Sequence, residues 1–503
     1  VSELLLGLDA GLTVTKAVVF RPDGTPVGAG QVSSQQRSPH EGWVEKDLDD
    51  LWAGAGRAIA EALEAAGVAG GEIAAVGPTG HGDGLLLLDA ERRPARPAIL
   101  SLDGRAGAVQ ARLHRDGVAA RALELVGEAP FAVEPPVLLA WVKEHEPDVY
   151  RRIGHVLFCK DWLKFRLTGR VTTDPTDASA GFTDVHSQGY APGALALFGL
   201  DELEGALPEI VRSYEVAGEV TAEAAAATGL APGTPVVSGL HDCDASAAGC
   251  GGVRPGQLTM IAGTFSINEA ISDGPVSDER LLCRNWVEPG QWMTMANSAA
   301  SATNLEWFVG RLAPLEAERA AAAGSSPFAF AGDEVAATLG DPSRVLYLPF
   351  LYGSPQHPDA TGAFVGLKGW HTRGHLLRAV FEGVAFNHRT HVDALRDHFD
   401  VRDLRLTGGG SRSAVWAQVF ADVLGQPVSV TSSNEAGALG AALCAAVAAG
   451  LHPSVADGAD HAVRVTRTFD PDPRRQAELT EVYDRYLALV GALAPEWERW
   501  ARR

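Results

Sequence analysis

Apolar residues in this chain come in short bursts separated by small polar stretches. Leu4 to Leu8 is the first burst, Asp9 to Thr13 a polar turn, and Lys16 to Phe20 the second burst. Bursts of this length, bounded by turn residues, predict buried strands. Pro22-Asp23-Gly24 predicts a tight turn and Val27 to Ser33 a third strand, so the chain opens as a meander. The period then lengthens. Leu48, Leu51, Trp52, Ile59 and Leu63 fall on one face of a helix, and Asp47 stands where its N-cap belongs. Ile73 to Gly77 and Leu85 to Leu88 predict further strands. Meander, helix and strand in this order predict mixed α/β layers.

The second half repeats the device. Pro235 to Gly239 predicts a strand ending in a glycine turn. Leu258 to Ile261 and Ile267 to Ile271 predict strands flanking Gly263-Thr264-Phe265-Ser266. Leu404 to Thr407 leads into Gly408-Gly409-Gly410-Ser411, and a helix is predicted from Ser413 to Leu424. Each half brings small-residue turns to one end of a sheet. That predicts a duplicated fold with a cleft between its halves, divided near residue 240.

Composition narrows the picture. A chain of 503 residues, 46% of them hydrophobic, suits two domains with sizeable cores. The formal net charge of −21 disfavours nucleic acid and anionic membranes as partners. No apolar run reaches membrane-spanning length. The opening Val1-Ser2-Glu3-Leu4 has no basic region and reads as the approach to a strand rather than a signal peptide. The five cysteines are scattered, odd in number and without a C-x-x-C pair, which fits a reducing cytoplasm better than a disulfide framework or a zinc site.

Candidate chemistry lies in the turns. Asp9-Ala10-Gly11-Leu12-Thr13-Val14-Thr15-Lys16 joins two strands. Gly11 suits a turn whose N–H groups face an anion, Thr13 adds a hydroxyl, and Asp9 suits Mg²⁺ or a metal-bound water. Taken alone, an ordinary hairpin explains it as well. Gly263-Thr264 occupies the equivalent turn of the second half. Gly408-Gly409-Gly410 before a helix allows close approach of a flat ligand or phosphate, though many such loops carry glycine for packing. Thr79-Gly80-His81-Gly82-Asp83-Gly84, with Asp103 and Arg105 downstream, offers hydrogen-bonding groups to a polyhydroxylated ligand, or is a polar surface loop.

Gly239-Leu240-His241-Asp242-Cys243-Asp244 sets a carboxylate at a strand end before an Ala/Gly-rich helix. Asp242 or Asp244 serves there either as a general base or as a helix cap. On spacing alone a cap is the commoner fate. P-loop, dinucleotide, zincin and nucleophile-elbow motifs are absent.

These motifs, in this order, resemble the FGGY carbohydrate kinase family of the actin/Hsp70-like ATPase superfamily, and the resemblance spans nearly the whole chain. Gly42-Trp43-Val44-Glu45 is similar to its early G-W-V-E element, and Lys160-Asp161-Trp162-Leu163 to its first signature. Gly362 to Leu367, His375-Leu376 and Ala379-Val380-Phe381-Glu382 resemble its second signature. Gly408 to Ser413, Trp416, Gln418, Ala421-Asp422 and Glu435 to Ala442 resemble its adenosine-side region.

The resemblance implies a two-domain actin/Hsp70-like (RNase H-like) ATPase fold with a cleft between domains. Residues 1–240 would form the sugar-side N-terminal domain and 241–503 the nucleotide-side C-terminal domain. It implies ATP and Mg²⁺ as cofactors, with Asp9 toward the metal. Gly11, Thr13 and Lys16 match the first phosphate motif, Gly263 and Thr264 the second, and Gly409, Gly410 and Ser413 the adenine and ribose side. The usual Thr-Thr-Ser run is here Leu12-Thr13-Val14. Asp242, and not Asp244, matches the catalytic base.

The implied partner is a small sugar or polyol held by His81, Asp83, Asp103 and Asp242, in a cytoplasmic enzyme. The branch this chain resembles best is the L-xylulose kinase type, through Ile99-Leu100-Ser101, Glu144-His145-Glu146-Pro147 and Asn304-Leu305-Glu306-Trp307-Phe308. Erythritol-type polyol kinases share the Gly82-Asp83-Gly84 loop, so a polyol acceptor stays open. A non-catalytic sugar or nucleotide sensor is the reading from another class, and the retained Asp242 argues against it. A homodimer is left open, because no heptad or apolar stripe decides it.

Overall fold

A computed structural model of the protein describes residues 3–354 and 357–501. Val1 and Ser2 of the opening segment lie outside them. The chain forms two compact units: Val1–Pro255 with Ile271–Thr294 and Glu435–Arg464, and Gly256–Ala270 with Met295–Asn434 and Val465–Arg503. The sequence expectation was a single boundary near residue 240. Instead the chain returns to the first unit twice after that point, for reasons that lie in packing.

The first unit is built on one sheet. Its strands run in the order Val216–Glu219, Pro235–Val237, Ile73–Gly80, Leu4–Ala10, Val14–Phe20 and Pro26–Ser33. The last three form the antiparallel meander. Leu4–Ala10 pairs with Ile73–Gly80 in parallel. Leu240–His241 adds a short parallel strand to the far end of Ile73–Gly80.

Alternation along these strands sends Leu6, Leu8, Ala17 and Val19 to one face, where they bury against Leu48, Leu51, Ile59 and Ala62 of the helix Leu48–Ala66. Asp47 caps that helix, its carboxylate accepting from the backbone N–H groups of Asp49 and Asp50.

The helix Ala436–Ala448 covers the opposite face. It is apolar all round, and it approaches the sheet backbone to backbone. A Cβ on Gly7 would overlap the Ala438 carbonyl oxygen, and one on Gly77 the Ala441 carbonyl oxygen. The helix Asp242–Cys250 packs on it in the same way through Gly249 and Gly440. Glycine at these positions is what lets the late helix belong to the first unit. Residues 271–294 are tied in by hydrogen bonds from Cys283 N–H to the Gly127 carbonyl (3.0 Å) and from Trp292 Nε1 to the Val185 carbonyl (2.6 Å).

The second unit repeats the architecture. Gln257–Ala262 and Ser266–Ser272 form an antiparallel hairpin. Asp403–Thr407 joins it in parallel, followed by Val428–Thr431 in parallel and Val465–Phe469 antiparallel. Among the described residues, no helix is long and apolar enough to cross a membrane.

Candidate active site

Three parallel strands of the first unit end side by side. Ala10 is level with Gly80, and Gly80 with His241. The N–H of His81 continues the ladder by donating to the Ala10 carbonyl at 3.0 Å. The segments that leave these ends carry Asp9 and Gly11, His81 and Asp83, and Asp242. The carboxyl ends of parallel strands are where open α/β sheets bind ligands.

Asp242 is the first residue of the helix Asp242–Cys250, and 36% of its side chain is accessible. Burial of the strand end, and then the neighbouring Asp9 carboxylate, push its carboxyl up to about 7. A carboxylate so tuned can take a proton near neutral pH. Asp9 is itself raised to about 6 by burial, with Lys16 opposing the shift and Glu435 adding to it. Lys16 Nζ donates to Glu435 Oε2 at 2.7 Å, so the expected phosphate-binding lysine is paired with a carboxylate here. The Asp9 carboxylate lies against Gly437, where a Cβ would overlap its Oδ2.

Gly11 does not adopt a left-handed φ, unlike Gly24 in the next turn. The turn is held through its carbonyls: Ser34 N–H donates to the Thr13 carbonyl (2.8 Å) and Gln36 Nε2 to that of Leu12 (3.0 Å). Thr13 is exposed.

His81 is buried, and neither of its ring nitrogens has a hydrogen-bond partner among the described residues. Burial, then the nearby Lys46 and His241, push it down to about 3, so it is a neutral imidazole. It presents one donor and one acceptor to whatever enters.

Asp83 adopts a left-handed φ of 54°, which a non-glycine residue holds only under constraint. The constraint is Arg284, whose Nη2 donates to Asp83 Oδ1 at 2.7 Å while its Nε donates to Glu128 Oε2 at 2.9 Å. Glu134 lies against Glu128, and burial followed by the Glu128 charge raises it well above the carboxylate range. It is a neutral acid that can donate to its neighbour.

Asp103 does not join this group. Expected as a sugar contact, it has no accessible side chain, and its oxygens are saturated. Arg105 binds both of them at 2.8 Å, and Val44 N–H donates to Oδ2 at 2.6 Å. Arg105 also stacks on Trp43 at 3.9 Å and pairs with Glu45. The G-W-V-E element and the Asp-x-Arg pair are therefore one clamp.

Lys160 explains the first signature in the same physical way. Its Nζ lies 2.8 Å from carboxylate oxygens of Asp161, Asp174 and Asp177, all essentially inaccessible. Lys164 shares Asp161 and reaches Ser238 Oγ at 3.0 Å. Thr176 accepts the His241 N–H at 2.8 Å, linking this buried charge network to the strand end that carries Asp242.

In the second unit, Gly263 and Thr264 form the hairpin turn, and the glycine run packs directly on it. Gly408 has φ 82°, and a Cβ there would lie 2.9 Å from the Ala262 backbone. One on Gly410 would lie 2.7 Å from the Ala262 Cβ. Gly409 is exposed between them. Ser413 caps the helix Ala414–Leu424, its Oγ accepting from Trp416 N–H at 3.2 Å. The structure thus brings Gly263, Thr264, Gly409 and Gly410 together and gives Ser413 a capping role.

Residues 4–249 match the N-terminal domain of the FGGY family of carbohydrate kinases, and residues 258–449 match its C-terminal domain. The chain belongs to the FGGY family. An L-xylulose/3-keto-L-gulonate kinase of Escherichia coli is 35% identical over 98% of this kinase and 97% of its own length. An erythritol kinase of Brucella abortus is 29% identical over 99% and 98%. The crystal structure of xylulose kinase from Rhodospirillum rubrum matches with a TM-score of 0.86 at 32% identity, covering 98% of this kinase and all of that chain. The fold is the actin/Hsp70-like ATPase fold, and the reaction is ATP-dependent phosphorylation of a sugar or polyol.

Several residues of the kinase escape sequence reasoning: His241 as a side chain, Arg284, Glu128 and Glu134. One signal was available. Arg284 interrupts the apolar run Leu281-Leu282-Cys283 and Trp286-Val287, and a lone arginine in such a strand must be buried with a partner.

Proposed function

We propose that this kinase phosphorylates a ketopentose of the L-xylulose type, with Asp242 as general base. The observation that carries the proposal is the pairing of a carboxyl raised to about 7 with a buried, neutral imidazole that lacks partners among the described residues, at adjacent strand ends. His81 and the Arg284-held Asp83 hydrogen-bond the sugar. Asp242 accepts the proton of the attacking hydroxyl. Asp103 acts at one remove, by fixing Arg105 and Trp43. In the first unit, considered by itself, Gly11, Thr13 and Lys16 are the phosphate contacts; in the second, Gly263, Thr264, Gly409 and Gly410 are the nucleotide contacts, with Ser413 keeping the glycine run on its helix. Phosphate competes with Glu435 for Lys16.

Mg²⁺ fits Asp9. Hard cations take carboxylate oxygens, and a carboxyl raised by burial and by a neighbouring Glu435 is relieved by a cation. Gly437 leaves room beside its Oδ2. When bound, the ion neutralises charge developing on the transferring phosphoryl group. The protein's own residues orient the hydroxyl, hold its proton on Asp242 and exclude water. A cytoplasmic setting suits an enzyme that draws on ATP.

The L-xylulose assignment draws on the relative that is 35% identical. A polyol acceptor is the second reading, favoured by the Gly82-Asp83-Gly84 loop and the erythritol kinase relative. Coupled ADP release with a panel of ketopentoses, pentitols and tetritols tests both. L-xylulose is expected to give the highest kcat/KM. A tetritol or pentitol that exceeds every ketopentose would replace the first reading with the second.

A further inference from the structure

We propose that Arg284 and His241 orient the Asp242 carboxylate, Arg284 by fixing which ring nitrogen of His241 carries the proton. The inference rests on Asp242 being the base.

Arg284 Nη1 lies 3.5 Å from His241 Nε2. A guanidinium only donates, so a favourable contact requires a lone pair on Nε2. The proton of the neutral ring is then on Nδ1. That nitrogen lies 3.4 Å from Asp242 Oδ1 and 3.6 Å from Asp244 Oδ2. These contacts are long, as such contacts often are before a substrate engages the site. Asp244 is fully buried and held well above the carboxylate range, first by burial and then by Asp174, so it is a neutral acid. The charged acceptor for Nδ1–H is Asp242.

The opposite tautomer lets Nδ1 accept from Cys243 N–H at 3.3 Å, which makes His241 a helix cap. It also turns Nε2–H toward the Arg284 N–H, donor against donor beside a positive charge. Protonating Nδ1 gives up that one capping hydrogen bond, whereas the opposite tautomer sets two donors against each other beside a buried guanidinium. Arg284 cannot swing aside to relieve the clash, because Asp83 and Glu128 hold it at 2.7 and 2.9 Å. Burial and the Arg284 charge also keep His241 from becoming an imidazolium, pushing it down to about 4. Gly82 completes the device, since a Cβ there would overlap Nε2.

The arrangement is a donor chain, from guanidinium to imidazole to carboxylate. It holds one oxygen of Asp242 and leaves the other for the substrate hydroxyl. His241 and Arg284 are positioning residues.

Steady-state kinetics of the full chain, reading kcat and sugar KM separately, test this with His241→Asn, His241→Gln and Asp242→Asn. An asparagine amide reaches the place of Nδ1, a glutamine amide that of Nε2. His241→Gln is expected to lower kcat about 10- to 100-fold with sugar KM within about threefold, and His241→Asn to hold kcat within about fivefold. Equal losses in the two His241 variants, or losses carried by KM, overturn the relay in favour of capping or packing. Full kcat in both, with Asp242→Asn inactive, keeps the base and removes the relay. Full kcat in Asp242→Asn removes the base reading and the relay with it. A readout that needs no folded variant is the ¹⁵N shift of His241 in histidine-labelled parent protein. Protonated Nδ1 is expected, and protonated Nε2 overturns the proposal.

Discussion

Gly82 gives His241 its place: the ring nitrogen Nε2 occupies the space that a Cβ on residue 82 would fill. The overlapping atom belongs to a rigid ring held by Arg284, not to the loose end of a flexible chain. Gly82→Ala is therefore expected to shift His241 and to lower kcat at least about tenfold, through the base it orients. Kinetics of the purified variant check this. Parent-like kcat would show that the ring can move without consequence.

Asp242→Asn removes proton acceptance and little else. Turnover is expected to fall by about 10²–10⁴-fold, with sugar affinity by calorimetry within a few-fold of the parent. A variant that loses binding and turnover together would make Asp242 a binding residue instead.

The acidic limb of kcat/KM is expected near pH 7, where Asp242 loses its proton in the free enzyme. Stability follows with a definite sign. The folded-state value lies above the ordinary 3.8, so the folded protein binds the proton more tightly than the unfolded one. That stabilisation is full below about pH 4 and is lost as pH rises through about 7. Thermal melts at pH 5 and pH 8 should fall more steeply for the parent than for Asp242→Asn.

Gly437→Ala would press a methyl group on the Asp9 carboxylate. The Mg²⁺ concentration for half-maximal velocity is expected to rise about 10-fold or more, with sugar KM unchanged. A metal titration under saturating sugar separates the two.

Lys160→Met leaves Asp161 and Asp174 buried without their main cation. Breaking a buried network on one side is expected to destabilise the chain by about 3–5 kcal/mol, measurable by urea unfolding.

The hairpins, the capped helix and the glycine turns were legible in the sequence because local chemistry decides them. Asp47 and Pro22-Asp23-Gly24 act within a few residues of themselves. The identity of the base was less legible. Asp242 and Asp244 are both acidic first-turn residues, and only the family position separated them before the structure showed Asp244 to be wholly enclosed. Asp103 misled for the opposite reason. Its partner Arg105 stands two residues on, and the two groups offered to a ligand saturate each other instead. Arg284 could be seen as a buried cation but not assigned, since its carboxylates lie 201 and 156 positions away.

The helix Ala436–Ala448 also bears on how the protein is made. It closes one face of a sheet whose strands are finished by His241, and about 180 residues must be synthesised between the end of the first unit's main segment and the start of that helix. At roughly 5–20 residues per second, the ribosome leaves that face uncovered for about 10–40 seconds. During that interval Gly7 and Gly77 sit bare on an apolar surface with no partner yet in existence. The nascent chain is expected to be a chaperone client until residue 448 emerges, and a chain stopped before Glu435 to aggregate rather than fold as a smaller protein.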